Sequence, residues 1–428
     1  MSRDAATDGG ADGGRNDEQA DATSDDEQTD TPAGPLDGLT VVEAGSMISI
    51  GTVGRLLADF GADVIKVEHP ATGDHLRHFG PQKEGVGLWW KYLGRNKQSV
   101  TLDISTEEGK VVFEDLVADA DALIENFRPG TLERWDLGYD HLSELNPGLV
   151  MLRLSGFGQT GPYSDRPGFG TLAEAMSGFA FLNGYPDREP LLPPTGLADG
   201  IAAMFSTMAV AFALYNRDAN GGSGQYIDTS LIEPIFSLIG PQPLRYQQLG
   251  EIEERSGNRS TSSAPRNVYQ TGDGRAVAIS ASAQPIAMRV FDAIERPELK
   301  DDPRFADNEK RLENVEELDA AIQDWMDDHT REEVIDRFEE YEATIAPIYN
   351  VADILDDEHY QARDAVVEIP DDEIGTGAVQ NTIPHLSETP GSISHLGPPL
   401  GAHNEAVYGE RLSYDEETLA ELDAEGVI

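Results

Sequence analysis

The chain has no cysteine among its 428 residues and few basic side chains. Without cysteine it has no disulfide, no thiolate nucleophile and no thiolate metal ligand. It carries 31 lysines and arginines against 79 aspartates and glutamates, which gives a net charge of −48 at pH 7. Such an excess of negative charge argues against nucleic acid and against an anionic membrane surface as partners.

Lysine is scarcer than arginine, with 7 lysines and 24 arginines. An acidic, lysine-poor surface is typical of a halophilic protein, which stays soluble in high salt because screening shortens charge repulsion to ~3 Å at 1 M. The first residues contain no basic segment followed by an apolar stretch, so we expect a cytoplasmic protein.

Residues 1–34 contain ten acidic residues, two arginines and no Leu, Ile, Val or Phe. A segment without large apolar side chains cannot form a packed core, so we predict a disordered acidic tail. The rest of the chain is long enough for two domains.

From residue 39 the pattern alternates between short apolar strands and amphipathic helices. The segments LTVVEA, IGTVGRLLADFG and ADVIKVEH predict a strand, a helix and a second strand that ends at Glu68. Repeated alternation predicts an α/β fold with a parallel sheet and binding loops at the carboxyl ends of its strands. The same βαβ unit leaves a nicotinamide-dependent oxidoreductase open, although Gly45, Gly51 and Gly54 do not form the GxGxxG motif.

A different composition begins near Asn267. The segment NVYQTGDGRAVAISAS predicts a hairpin that turns at Asp273 and Gly274, and acidic helices follow from about residue 285 to residue 341. This part of the chain predicts a smaller α+β domain.

The stretch LLPPTGLADG, residues 191–200, precedes an almost wholly apolar run to Tyr215. Pro193 and Pro194 break regular structure, and the run that follows predicts a core helix too short to span a bilayer. Asp199 is then expected at the helix N-cap, where backbone amides and the helix dipole keep a carboxylate ionised. A capping role alone would explain an aspartate at this position.

Several long segments resemble, in the same order, segments of the class III CoA-transferases. They include PLDGLTVVEAG, GADVIKVEHP, IENFRPGTLERWDLGYD, LNPGLVMLRLSGFGQTGPYSDRPGF, LADGIAA and GSGQYIDTSL, and the resemblance covers about Pro35 to Ile428. It implies a Rossmann-like large domain with a parallel sheet, a smaller α+β domain and an interlocked homodimer. We accordingly predict the large CoA-binding domain at 35–228, a linker and the small domain at 229–355, and a segment at 356–428 that returns to the large domain.

In this family the aspartate of the LAD segment is the nucleophile, which the resemblance places at Asp199. Its carboxylate would attack an acyl-CoA thioester and pass through a mixed anhydride to an aspartyl-CoA thioester. This chemistry implies no metal and no cofactor beyond the coenzyme A of the substrate. Many relatives carry an acidic residue where this chain has Gly170, and Glu174, about one helical turn later, is a possible auxiliary carboxylate. A solvated glutamate is the alternative for Glu174.

The resemblance also implies a set of CoA-binding residues. Arginine and lysine suit phosphate groups, and Phe127 can pack against adenine. Asn96 and Asn126 have an alternative role in turns, and Arg134 has one on a solvated helix face. The complete set is Ser46, Ile48, Ser49, His69, Asn96, Lys97, Asn126, Phe127 and Arg134.

Arg255, Arg259 and Arg266 occupy the loop that replaces a glycine-rich flap of the family. We expect one of them to bind a second carboxylate of the substrate, although each is also compatible with a surface charge. Together with the resemblance, these arginines favour succinyl-CoA as donor and a small branched dicarboxylate such as mesaconate as acceptor.

Two further activities stay open at this stage. An α-methylacyl-CoA racemase of the same fold needs a histidine where this chain has Phe169, and a phenyl ring cannot carry a proton. A non-catalytic CoA-binding subunit is favoured by Gly170 and opposed by Asp199.

Overall fold

A six-stranded sheet is the main element of the computed structural model, which describes residues 34–428. In spatial order its strands are Lys97–Thr101 (β5), Asp63–Glu68 (β2), Thr40–Ala44 (β1), Ala122–Glu125 (β6), Val150–Ser155 (β7) and Gln225–Ser230 (β8). Every neighbouring pair is parallel. The predicted α/β fold class is therefore confirmed, whereas the predicted acidic tail lies outside the described residues. A short hairpin of Gln82–Lys83 (β3) and Val86–Gly87 (β4) lies between β2 and β5 in the chain.

Helices cover both faces of this sheet. One face packs against the helices Ile48–Asp59 (α1), Leu197–Asn220 (α8) and Ile232–Ser237 (α9), and the other against Glu107–Ala118 (α3) and Tyr139–Leu145 (α5). The remaining helices of this part are Leu88–Leu93 (α2), Thr131–Arg134 (α4), Gly170–Met176 (α6), Phe179–Leu182 (α7) and Gln242–Leu249 (α10), with a 3-10 turn at His75–Arg77.

Successive residues of the central strands point to opposite faces. Val41 and Val64 belong to the apolar cluster under α1 and α8, and Val42 and Ile65 belong to the cluster under α3. In a parallel sheet covered on both faces most strand positions are apolar, which explains why the sequence pattern located β1 and β2.

The helix α8 begins two residues before Asp199. Gly196 is its N-cap, so Asp199 lies in the first turn and the N-cap prediction was wrong. The cap comes from another element instead, because Glu174 Oε1 accepts a hydrogen bond of 3.3 Å from the Ala198 amide. At 24 residues α8 is longer than predicted and passes the length and composition test for a membrane span, so the prediction that it is too short was wrong. The predicted core position is confirmed, because Ala202 and Val210 are fully buried against the sheet.

A second, antiparallel sheet has its own apolar core, and in spatial order its strands are Ile345–Pro347 (β11), Ala276–Ser280 (β10) and Arg266–Gln270 (β9). The predicted hairpin is confirmed, since β9 and β10 pair antiparallel and Gly274 adopts a positive φ of 76° in the turn. Its helices are Gln284–Ala293 (α11), Asn308–Glu313 (α12), Val315–Met326 (α13) and Arg331–Glu340 (α14), with a 3-10 turn at Pro297–Lys300.

The last segment of the chain packs against the large sheet. The Tyr408 hydroxyl donates to the Thr101 carbonyl at 2.8 Å, and the Asp103 amide donates to the Val427 carbonyl at 2.7 Å. The domain boundaries stay predictions. The elements of this segment and the stretch before it are Val351–Asp356 (α15), Glu358–Ala362 (α16), Val366–Asp371 (β12), Gly375–Gln380 (β13), a π-helix at Glu405–Arg411 and Glu416–Ala424 (α17).

Candidate active site

A cavity of about 550 Å³ opens at the carboxyl edge of the parallel sheet. The loops that follow β1, β2, β5, β6 and β7 build its wall, together with Leu231 after β8 and Asp199 from the first turn of α8. Loops at the carboxyl ends of parallel strands are the usual place for ligand binding in such folds. The sheet therefore brings together segments that are distant in the chain, from Gly45 to Leu231.

The Asp199 carboxylate packs directly against the backbone of Gly170. A Cβ atom at position 170 would stand 2.2 Å from Asp199 Oδ2, which is closer than any real contact. Glycine at this position, where many relatives carry an acidic residue, thus leaves the space that the Asp199 carboxylate occupies.

Asp199 is half-buried, and its surroundings change its acidity. Burial raises the pKa of Asp199 to about 6, and the negative charge of Glu174 acts in the same direction. Hydrogen bonding from the Ser49 hydroxyl and from the backbone amide of Asp199 partly opposes this rise. Above pH 6 the group is mostly a carboxylate that few donors stabilise, which is the state a nucleophile requires.

Glu174 is 2% exposed and lies on α6, next to the start of α8. The solvated alternative for this residue was therefore wrong, because the glutamate is buried and caps α8 through the Ala198 amide. Its role as an auxiliary group stays a prediction.

The turn between β1 and α1 forms the part of the wall nearest to Ser49. The Ser46 amide donates to Asn126 Oδ1 at 3.0 Å, and Asn126 Nδ2 donates to the Ser46 carbonyl at 2.8 Å. Ser46, Ser49 and Asn126 all line the cavity, and their contact with CoA stays a prediction. The Asn126 amide is committed to the turn, which is the alternative role noted for it.

His69, Phe127 and Arg128 line the cavity farther along the same edge of the sheet. Phe127 packs edge to face against Trp135, with 5.5 Å between the ring centres. His69 Nε2 lies 3.7 Å from Asp103 Oδ2. An aromatic ring, a histidine and an exposed arginine together suit a nucleotide with phosphate groups.

Four predicted CoA contacts lie outside the cavity wall formed by residues 34–428, namely Ile48, Asn96, Lys97 and Arg134. Lys97 is 1% exposed, and its ammonium group contacts Glu43 Oε2 at 2.6 Å. Asn96 donates to Asp59 and to the Ser392 carbonyl, and Arg134 donates to Thr131. Ile48 packs in an apolar cluster. The three polar side chains thus serve as internal or surface contacts here.

The three arginines proposed for substrate carboxylates also lie outside the cavity wall of the described chain. Arg255 donates to the carbonyls of Phe181 and Tyr185, and Arg259 Nε contacts Asp319 Oδ2 at 2.7 Å. Arg266 Nη1 reaches the Arg259 carbonyl at 3.5 Å. The prediction of a clamp from these arginines is therefore not supported, because the loop folds toward α7 and α13.

Sequence reasoning missed Arg166, which does line the cavity with Asp199. Its guanidinium stacks over Tyr163 at 3.7 Å from the ring centre, and no carboxylate of residues 34–428 forms an ion pair with it. Its place in a loop directly after a predicted parallel strand was the available signal.

Phe169 is 68% exposed and lines the same cavity. A phenyl group at the position where a racemase needs a proton carrier gives the racemase alternative no support.

A model of CoA-transferase family III matches residues 36–404 of the chain. The protein belongs to CoA-transferase family III. It is therefore an enzyme of the CoA-transferase type, as the resemblance implied, and the match decides against the nicotinamide-dependent oxidoreductase.

Relatives of known name support this membership of CoA-transferase family III. The chain is 42% identical over 398 residues to succinyl-CoA–D-citramalate CoA-transferase of Chloroflexus aurantiacus, covering 93% of this chain and 99% of that protein. It is 33% identical over 345 residues to succinyl-CoA:mesaconate CoA-transferase of Haloarcula hispanica, covering 78% and 86% respectively. The crystal structure of a CaiB/BaiF family protein from Brucella suis aligns with a TM-score of 0.80 at 32% identity, over 88% of this chain and 99% of that one.

Proposed function

We propose that this enzyme transfers CoA from succinyl-CoA to a small dicarboxylic acid through a covalent intermediate on Asp199. The observation that carries the proposal is the half-buried Asp199 carboxylate, of raised pKa, at the wall of a cavity whose other end carries Phe127 and Arg128. This arrangement supports a CoA molecule that lies along the sheet edge with its thioester toward α8.

The reaction requires only that a carboxylate attack a thioester. An Asp199 oxygen bonds to the succinyl carbonyl carbon, the carbon–sulfur bond breaks, and CoA leaves as a thiolate. The thiolate then attacks the Asp199 carbonyl carbon of the anhydride, succinate leaves, and an aspartyl-CoA thioester remains. The acceptor carboxylate attacks this thioester, and the same two bond exchanges in reverse yield the new acyl-CoA and free Asp199.

The environment of Asp199 suits this role. Burial and the charge of Glu174 make the Asp199 carboxylate more basic than an ordinary aspartate. A more basic carboxylate is a better nucleophile, and above pH 6 it is still largely ionised. Glu174 thus contributes to the reactivity of Asp199 without contacting the substrate.

A dicarboxylate acceptor is supported by the relatives and by one side chain. The two relatives named above are succinyl-CoA-dependent CoA-transferases of D-citramalate and of mesaconate. Arg166 is an exposed cation at the cavity wall. In the chain it lies close to Gly170, and the backbone of Gly170 packs against the Asp199 carboxylate. We place the distal carboxylate of the substrate on its guanidinium, with mesaconate as one member of the acceptor class.

A homodimer is part of the same proposal. The helix α8 exposes apolar side chains along one face, although its other face is buried against the sheet. A second copy of the chain would remove this surface from water, in keeping with the interlocked dimer that the family resemblance implies. The exposed residues are Met204, Phe205, Met208, Phe212 and Tyr215.

The covalent step is tested by trapping. The enzyme is incubated with succinyl-CoA and then treated with hydroxylamine, which converts an aspartyl thioester or anhydride into a hydroxamate that peptide mass spectrometry locates. We expect a single modified peptide carrying Asp199, and no modification in Asp199→Asn. Modification of another acidic residue, or ordinary turnover by the variant, would refute the proposal.

A further inference from the structure

The turn between β1 and α1 has an unusual backbone for its residues. Gly45 has φ 151° and Met47 has φ 73°. A methionine with positive φ is strained and persists only when surrounding contacts hold it in place. A Cβ atom at position 45 would also stand 2.2 Å from Asn126 Oδ1, so the close approach of Asn126 requires glycine there.

Side chains from three other segments hold this turn by its backbone. Lys66 Nζ donates to the Gly45 carbonyl at 2.5 Å, and the Met47 amide donates to Asp74 Oδ1 at 3.2 Å. Asn126 holds both the amide and the carbonyl of Ser46. Four successive polar groups of the backbone therefore have a side-chain partner from outside the turn.

Two of these partners belong to a buried charge cluster. Lys66 Nζ lies 2.8 Å from Asp74 Oδ2 and 3.0 Å from Glu43 Oε1, and Lys97 Nζ lies 2.6 Å from Glu43 Oε2. All four side chains are at most 2% exposed. Two lysines and two carboxylates balance in charge, and each is fixed in place by the others, because a buried charge that lost its partner would be costly.

The turn leads directly to the nucleophile. Ser49 follows it in the first turn of α1 and lines the same cavity as Asp199, and residues 45–47 form the adjoining cavity wall. A change in the turn would therefore move both a wall of the acyl-CoA site and the Ser49 side chain beside the nucleophile.

We propose that Lys66 and Asp74 are positioning residues, which hold the strained turn 45–47 in the conformation that completes the acyl-CoA site. The part of the inference that concerns catalysis rests on the proposed function. The part that concerns binding does not, because the affinity for CoA can be measured without turnover.

Three variants separate the contributions of charge and hydrogen bonding. Asp74→Asn keeps an oxygen that can accept from the Met47 amide but removes the charge beside Lys66, whereas Asp74→Ala removes both. Lys66→Met removes the donor to the Gly45 carbonyl. Asp59→Asn is the matched control, because Asp59 is a buried partner of Arg95 at the opposite end of α1.

We measure the Kd for CoA by calorimetry, and kcat and KM with succinyl-CoA, well below the unfolding temperature of each variant. Displacing a binding wall by about 1 Å is expected to lower kcat/KM by ~10 to 100-fold. Lys66→Met and Asp74→Asn should therefore each weaken CoA binding and lower kcat/KM by about tenfold, with a larger loss for Asp74→Ala. The double variant Lys66→Met/Asp74→Asn should lose less than the product of the two single losses, since both act through one pair.

The control should lose stability and keep the wild-type Kd and kcat/KM. If Lys66→Met and Asp74→Asn also bind CoA with the wild-type Kd while they lose stability as Asp59→Asn does, the cluster only stabilises the fold and the inference is overturned. If wild type binds CoA but succinyl-CoA leaves no label on Asp199, the proposed function fails while the binding comparison still decides the role of the cluster.

Discussion

At the scale of single residues, burial is the main cause of the raised pKa of Asp199, and two neighbours act on it with opposite effects. Glu174 disfavours the ionised carboxylate through its charge, and Ser49 favours it through a hydrogen bond. The nucleophile is thus more basic than an ordinary aspartate but remains ionised at neutral pH.

The first prediction is a pH profile with an acid limb set by Asp199. Activity requires the carboxylate, so kcat/KM should fall as the pH drops below about 6. Glu174→Gln removes the repulsion and should move the limb to lower pH, whereas Ser49→Ala removes the hydrogen bond and should move it to higher pH. The measurement is kcat/KM between pH 4.5 and pH 8. Limbs that shift in the same direction for both variants would contradict the assignment.

The second prediction concerns Arg166 and the dicarboxylate. Arg166→Ala should lower kcat/KM for dicarboxylate acceptors by about 10- to 100-fold, the loss of a charge-assisted pair of ~1.5 to 3 kcal/mol. Monocarboxylates of similar length should lose far less, and Arg166→Lys should restore part of the difference. Arg188→Ala is the control, because Arg188 is likewise exposed beside a tyrosine ring, that of Tyr185, but lies outside the cavity wall of residues 34–428. An equal loss for both acceptor classes would remove Arg166 from substrate recognition.

At the scale of elements, the first turns of α6 and α8 form one unit. Glu174 of α6 caps α8, and Gly170 at the start of α6 gives space to the Asp199 carboxylate of α8. The two helices therefore set the position of the carboxylate together, and a change in α6 should affect catalysis without touching substrate.

The third prediction is that Gly170→Ala lowers kcat without destabilising the fold. The new Cβ would force the Asp199 carboxylate to move by more than about 1 Å, for which we expect a loss of ~100-fold, while alanine favours helix over glycine by ~1 kcal/mol. Gly200→Ala is the matched control, since a Cβ at that position of α8 meets no atom within 4 Å. Wild-type kcat in Gly170→Ala would show that Asp199 reacts from a different rotamer.

At the scale of the whole molecule, the charge is distributed unevenly between interior and surface. Among residues 34–428, six basic side chains are buried, against seven of the far more numerous acidic ones. The surface is therefore even more acidic than the composition indicates, and its self-repulsion opposes the folded state at low ionic strength. The buried basic residues are Lys66, Lys91, Arg95, Lys97, Arg153 and Arg311.

The fourth prediction follows from this surface charge. The melting temperature should rise by several degrees between 0.1 M and 2 M KCl, because the screening length falls from about 10 Å to below 3 Å. An uncharged osmolyte at equal osmolality is the control and should raise it less. A melting temperature that is independent of salt would contradict the prediction of a halophilic protein.

The sequence alone determined the parallel sheet and the candidate nucleophile. Strands covered on both faces are largely apolar, so β1, β2 and β6 could be located from their runs of apolar residues despite the buried Glu43 and Lys66. Asp199 lies in a segment long enough to be matched to a family. These features are local, and they are visible without knowledge of which segments meet.

Only the tertiary structure decided which polar side chains reach the cavity. Lys97 and Arg259 could bind anions, but they form ion pairs with Glu43 and Asp319 instead. Arg166 and Asp74 line the cavity wall. A charged side chain pairs with the nearest opposite charge, and in these pairs the partner comes from a segment distant in the chain. The role of Asp199 also depends on a residue distant in the chain. Glu174 of α6 accepts the hydrogen bond from the Ala198 amide, and Asp199 lies in the first turn of α8 and does not cap it.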